Sequence, residues 1–221
     1  MGEMVSFSTS GGKADGYLTS SPSPGGRGVI VLQEWWGLNA HVRAVADRFA
    51  SEGFRALAPD LYHGEVTSSP DEAGKLLMAL DIARTERDMS GAVAKLMELT
   101  ASPVGSVGFC MGGALSLFAA CKNAEKIGAC IIYYGGHPKI EFEYEGLRAP
   151  LLGHWAEDDA FANANRDRIG PALDALGKPY EFHTYPGTRH AFFNDDRPEV
   201  HDRAAAELSF ARSVEFLRKH L

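Results

Sequence analysis

Gly108-Phe109-Cys110-Met111-Gly112 places a sulfur at the corner between a short apolar run, Val104 to Phe109, and a small-residue stretch, Met111 to Lys122. Glycine two before and two after a nucleophile is the spacing of a strand-to-helix elbow, in which a sharp turn exposes the attacking atom. Such a turn is strained and crowded, and side chains at the flanking positions would meet neighbouring backbone. The helix that follows aims free N–H groups and its positive dipole end at the sulfur, which favours a thiolate or a bound oxyanion. A buried cysteine in an ordinary strand–turn–helix has the same local sequence. Partners elsewhere in the chain decide between the two.

A nucleophilic thiol works with a base, and the base with an orienting acid. An acidic cluster, Glu157-Asp158-Asp159, and then His190 follow Cys110 in that order. His190 ends a glycine-led segment, Gly187-Thr188-Arg189-His190, and precedes Phe192 and Phe193, as suits a base held against an apolar wall. Glu34 comes directly after the apolar run Val29 to Leu32 and before Trp35-Trp36. A carboxylate there either simply reaches water or serves as proton acceptor or gate on the thiol. The other histidines make no H-E-x-x-H or comparable ligand spacing, and no G-x-G-x-x-G turn or Walker A loop is present. No metal, nucleotide or other cofactor is implied.

These residues are far apart in sequence, so the elements between them must bring them to one edge. Met4 to Thr9 and Gly16 to Ser20 flank a glycine turn and predict an N-terminal hairpin, and residues 21–26 are a loop by composition. Gly28 to Leu32, Phe54 to Ala58, Val104 to Phe109, Gly128 to Tyr134, Leu151 to Trp155 and Tyr180 to Tyr185 read as strands. Helices are predicted from an Asn39 cap to Ala50, over Asp71 to Ala79, Asp81 to Leu99, Met111 to Lys122 and Asn163 to Leu176, and from Pro198 to His220. Alternating strands and helices predict a doubly wound, mostly parallel sheet. Ligands bind beyond the carboxyl ends of such strands, where Glu34, Cys110, Asp159 and His190 all fall.

With 221 residues, of which 45% are hydrophobic and 23% charged, the chain has the composition of an ordinary globular domain, and one domain over 1–221 is expected. A formal net charge of −7 argues against nucleic acid and anionic membranes as partners. Three cysteines without a C-x-x-C pair suit a reducing cytoplasm, and neither a secretory leader nor an apolar run of membrane-spanning length is seen.

Several motifs together resemble the dienelactone hydrolase family of α/β hydrolases, over nearly the whole chain from about Met4. They are Gln33-Glu34-Trp35-Trp36-Gly37-Leu38-Asn39, Ala58-Pro59-Asp60-Leu61-Tyr62, Gly108-Phe109-Cys110-Met111-Gly112-Gly113, Asp159-Ala160-Phe161 and His190-Ala191-Phe192. The resemblance implies an α/β-hydrolase fold with helices on both faces of the sheet. It also implies a triad of Cys110, His190 and Asp159, with Asp159 preferred to Asp158 because an aromatic, Phe161, follows two residues on. Glu34 would interact with the thiol and help to generate thiolate. Backbone N–H groups of Met111 and Trp35 would form the oxyanion hole. Trp36, Phe192 and Asn194 are placed at the substrate. The chain departs from dienelactone-cleaving relatives there, because Asn194 stands where an arginine would hold the lactone carboxylate. A second arginine is expected before the elbow, yet none occurs between Arg55 and Arg84, which leaves Lys75 or Arg189 to compensate.

The reading is therefore a cytoplasmic hydrolase that cleaves a small ester or lactone by thiolate attack, through an acyl-enzyme that water resolves. It would act on small molecules as a monomer or weak homo-oligomer, without cofactor, nucleic acid or membrane. The same triad would serve an acyltransferase or a peptidase, and a non-catalytic α/β binding protein is the remaining alternative.

Overall fold

Residues 2–20, 26–100 and 102–221 are described in the computed structural model, so the loop expected over 21–26 lies, apart from Gly26, outside the described residues. The hairpin forms as its turn signal predicts. Strands β1 (Glu3–Thr9) and β2 (Gly12–Leu18) pair antiparallel around Gly12, whose φ of +128° suits glycine alone. Next come β3 (Gly28–Leu32), β4 (Arg55–Pro59), β5 (Val104–Phe109), β6 (Ile127–Tyr133), β7 (Leu151–Asp158) and β8 (Tyr180–Arg189). Among the described residues they form an eight-stranded sheet in the order β1-β2-β4-β3-β5-β6-β7-β8. β2 runs antiparallel to β4, and the pairs from β4 through β8 are parallel.

The helices are α1 (Ala40–Ser51), α2 (Pro70–Ala79), α3 (Ile82–Thr100), α4 (Met111–Lys122), α5 (Ala160–Ala175) and α6 (Arg203–His220). α1 starts where its cap predicts, with the Asn39 side chain accepting from the Val42 N–H at 3.1 Å. Phe49 of α1 packs on Phe210 of α6 with ring centroids 4.9 Å apart, so these helices share one face of the sheet. α3 and α4 meet each other on the opposite face. α4 has no polar stripe because it is enclosed on all sides, with Met111 to Cys121 buried throughout.

The order of strands reverses at β3. α1 leads from β3 to β4 on one side, and α2 and α3 then carry the chain back across to β5 on the other. A crevice opens at the carboxyl ends of two parallel strands whose connections part in this way. Leu32 pairs with Gly108 across β3 and β5. Two residues further along each strand stand Glu34 and Cys110.

Several boundaries differ from the sequence expectation, β2 among them, which starts at Gly12 rather than Gly16. β7 and β8 run on past Trp155 and Tyr185, because Pro186-Gly187 is absorbed as an irregularity between the Ala156–Tyr185 and Asp158–Arg189 pairs rather than ending the strand. Proline is tolerated because β8 is the sheet edge. α5 starts at Ala160 rather than Asn163, since Asp159 itself caps it. α6 starts at Arg203 rather than Pro198, capped by Asp202, and successive turns occupy the residues before it.

Candidate active site

Cys110 sits on the elbow with φ +53° and ψ −118°, a left-handed conformation for a residue that carries a Cβ. The surrounding backbone holds it there. Its N–H donates to the Tyr133 carbonyl at 3.0 Å, and its carbonyl accepts from Gly113 and Gly136 N–H at 3.0 and 3.2 Å. The flanking glycines are sterically required. A Cβ on Gly108 would lie 1.8 Å from the Gly112 carbonyl oxygen, and one on Gly112 would lie 2.3 Å from that of Leu32. Packing these backbones so tightly brings the start of α4 beneath the sulfur. Met111 is the first residue of that helix, so its N–H is one of those a helix leaves without an internal acceptor.

Asp159 and His190 are brought together by strand register. Asp158 pairs with Arg189 in the β7–β8 ladder, and the next residue of each strand carries the functional side chain. Asp159 Oδ2 lies 2.5 Å from His190 Nδ1, while its Oδ1 accepts from the Ala162 N–H at 3.0 Å. One buried carboxylate therefore caps α5 and fixes the imidazole ring. Tyr134 adds an edge-on contact, its ring 5.1 Å from that of His190. Burial opposes protonation of His190, but the negative charge at Cys110 and Asp159 outweighs it and pushes the pKa up to about 10. A ring so placed holds a proton at neutral pH beside the sulfur.

Glu34 is buried and accepts two hydrogen bonds, from Asn194 Nδ2 at 2.6 Å and from the Tyr134 hydroxyl at 3.5 Å. Tyr134 is itself fully buried at φ +38°, with its N–H donating to the His154 carbonyl at 2.8 Å. Burial, then the charges of Glu34 and Cys110, drive the Tyr134 pKa well above its usual value, so its hydroxyl keeps its proton and remains a donor.

A cavity of about 380 Å³ opens over these groups. Glu34, Trp35, Trp36, Cys110, Met111, Asp159 and His190 line it, together with Leu77, Gly136, Phe161, Ala191 and Arg197. Two residues expected at the substrate do not reach this cavity. Ala191 turns the chain at φ +67°, which sends Phe192 into the core between Tyr134 and Tyr185, and Asn194 faces Glu34 instead. Lys75 and Arg189 are exposed and absent from the lining, so neither takes the place of the missing arginines. The sequence reading misses Tyr134 and Arg197. Tyr134 directly follows a buried strand, as functional residues of such a sheet do, whereas Arg197 stands just before the helix predicted from Pro198, in a stretch to which the sequence assigns no element. Among the described residues, no cluster of three His, Cys, Asp or Glu side chains is arranged to hold a metal, and no helix is long and apolar enough to cross a membrane.

A family model described as the dienelactone hydrolase family matches residues 14–221. A protein named usf from Aquifex pyrophilus is 37% identical over 100% of both chains. A protein of Aquifex aeolicus, provisionally named carboxymethylenebutenolidase, is 32% identical, again over 100% of both. A provisionally named dienelactone hydrolase from Klebsiella pneumoniae, of known crystal structure, superposes with a TM-score of 0.86 at 24% identity, covering 99% of this chain and 98% of that one. That likeness shows the α/β-hydrolase fold.

Proposed function

Because the chain belongs to the dienelactone hydrolase family and is an ester or lactone hydrolase, we propose that it works by attack of the Cys110 thiolate through an acyl-enzyme. The observation that carries this reading is the Asp159–His190 pair at 2.5 Å, set against a cysteine held on a left-handed elbow. Protonated His190 pairs with the Cys110 thiolate, whose Sγ adds to the substrate carbonyl carbon. The oxyanion so formed is received by the N–H groups of Met111 and Trp35. Collapse breaks the bond to the leaving oxygen, which takes the proton from His190. Water then attacks the thioester, with His190 accepting its proton, and the thiolate departs with the acid released.

Asp159 fixes the ring so that the nitrogen away from it serves the sulfur. Glu34, fixed by Asn194 and Tyr134, supplies a second proton-accepting group at the cavity wall. We take residues 1–221 as one α/β-hydrolase domain, since the buried apolar residues form a continuous core. The three cysteines are free thiols, which suits the reducing cytoplasm.

Acid quenching during turnover of 4-nitrophenyl acetate, followed by peptide mass spectrometry, tests the covalent step. An acetyl group on the peptide containing Cys110 is expected. An acetyl group on another nucleophile would overturn the assignment.

A further inference from the structure

We infer that the substrate of this site is a neutral ester with an apolar body, and that carboxylate-bearing lactones are disfavoured; the inference rests on the hydrolase reading above. Around the reacting atoms the cavity wall is Trp35, Trp36, Leu77, Met111, Phe161 and Ala191, none of which carries a charge. Two carboxylates, Glu34 and Asp159, also line it. A substrate carboxylate would be brought towards both of them in a setting where like charges are poorly screened.

The cations that could offset this are already engaged. His190 is paired with Asp159 at 2.5 Å. Arg197 brings a carboxylate with it, because its Nε and Nη2 lie 2.9 and 2.8 Å from Glu199 Oε1. Glu199 offsets the Arg197 charge that an anionic substrate would otherwise meet. The neutral Asn194 is 1% exposed and spends its amide on Glu34.

The mouth of the cavity extends the apolar character. Phe161 lines the cavity yet is 53% exposed. An acyl or alkoxy chain too long for the cavity would cross its ring. Each methylene so covered is worth about fourfold in kcat/KM.

The test compares 4-nitrophenyl butyrate with mono-4-nitrophenyl succinate, which share a leaving group and differ by a terminal carboxylate. We expect kcat/KM for the butyrate to exceed that for the succinate by about tenfold or more. Glu199→Gln frees Arg197 and should narrow that ratio about threefold or more. A ratio near one, or a preference for the succinate, overturns the inference. Binding of both esters to Cys110→Ala, followed by calorimetry, separates it from the hydrolase reading. Tighter binding of butyrate supports the inference even if the wild type turns over neither ester, a result that would sink the hydrolase reading alone. Equal binding, or tighter binding of succinate, contradicts the inference whatever the activity.

Discussion

Asp159 Oδ2 meets His190 Nδ1 at 2.5 Å while its other oxygen caps α5 through the Ala162 N–H. Orientation of the imidazole and the start of a helix thus depend on one carboxylate, and substitutions can separate the two roles. Asp159→Asn keeps a good helix cap but offers the ring a wrong partner. It should keep the cap to within a few tenths of a kcal/mol, roughly, while losing the charge beside His190, and lower kcat by about 10³–10⁴. Asp159→Ala should lose as much activity and about 1 kcal/mol more stability than Asp159→Asn. Urea unfolding and ester assays on both variants check this. Equal stability losses in the two would contradict the shared role.

Stability should depend on pH through His190. Its pKa is raised from 6.5 to about 10, because the Cys110 and Asp159 charges overcome burial. The folded state therefore binds its proton more tightly than the unfolded chain does. That contribution is complete below the unfolded value of about 6.5 and is lost as pH rises through about 10. Denaturant midpoints at pH 6, 8 and 10 should show the margin of wild type over His190→Gln shrinking as pH rises. A margin constant across that range would show that the ring is not held protonated.

Thiol reactivity should single out one cysteine of three. Cys121 and Cys130 are buried, and burial pushes their pKa values up to about 12 and about 11. Cys110 faces the cavity beside a protonated imidazole. Brief iodoacetamide treatment at neutral pH, read by peptide mass spectrometry, should modify Cys110 and leave the other two intact. Comparable labelling of Cys121 would contradict the arrangement.

Asn194→Ala would remove the donor 2.6 Å from Glu34 Oε2 and leave a buried carboxylate with the Tyr134 hydroxyl. A loss of about 2 kcal/mol is expected, as for a hydrogen bond to a buried charged group. Chemical denaturation measures it, and an unchanged midpoint would show that the bond is dispensable.

The elbow and the sheet are legible in the sequence because their signals are local. Glycines at 108 and 112 are dictated by backbone contacts that no side chain could occupy, and the short all-apolar run Val29 to Leu32 has the pattern of a strand buried on both faces, which it is. The order Cys110, acid, His190 follows from the same strands. Registers and side-chain directions are not local. The Asp158–Arg189 pairing arises from an irregularity at an edge strand, which Pro186-Gly187 disguises as a strand end. Asn194 occupies a position that sequence similarity assigns to substrate, yet Ala191 at positive φ redirects the chain, so that Phe192 enters the core and Asn194 faces Glu34. Arg197 reaches the cavity from a run of turns whose geometry the residues 192–201 do not announce.

The central claim is that Cys110 is the attacking group, and its most direct test is the kcat of Cys110→Ala with 4-nitrophenyl acetate. The residue is partly exposed and alanine fits the elbow no worse than cysteine, so the variant should fold. We expect kcat to fall by on the order of 10⁶, as when the nucleophile of such a triad is removed. Activity within about tenfold of wild type, well short of that loss, would contradict thiolate catalysis in this protein.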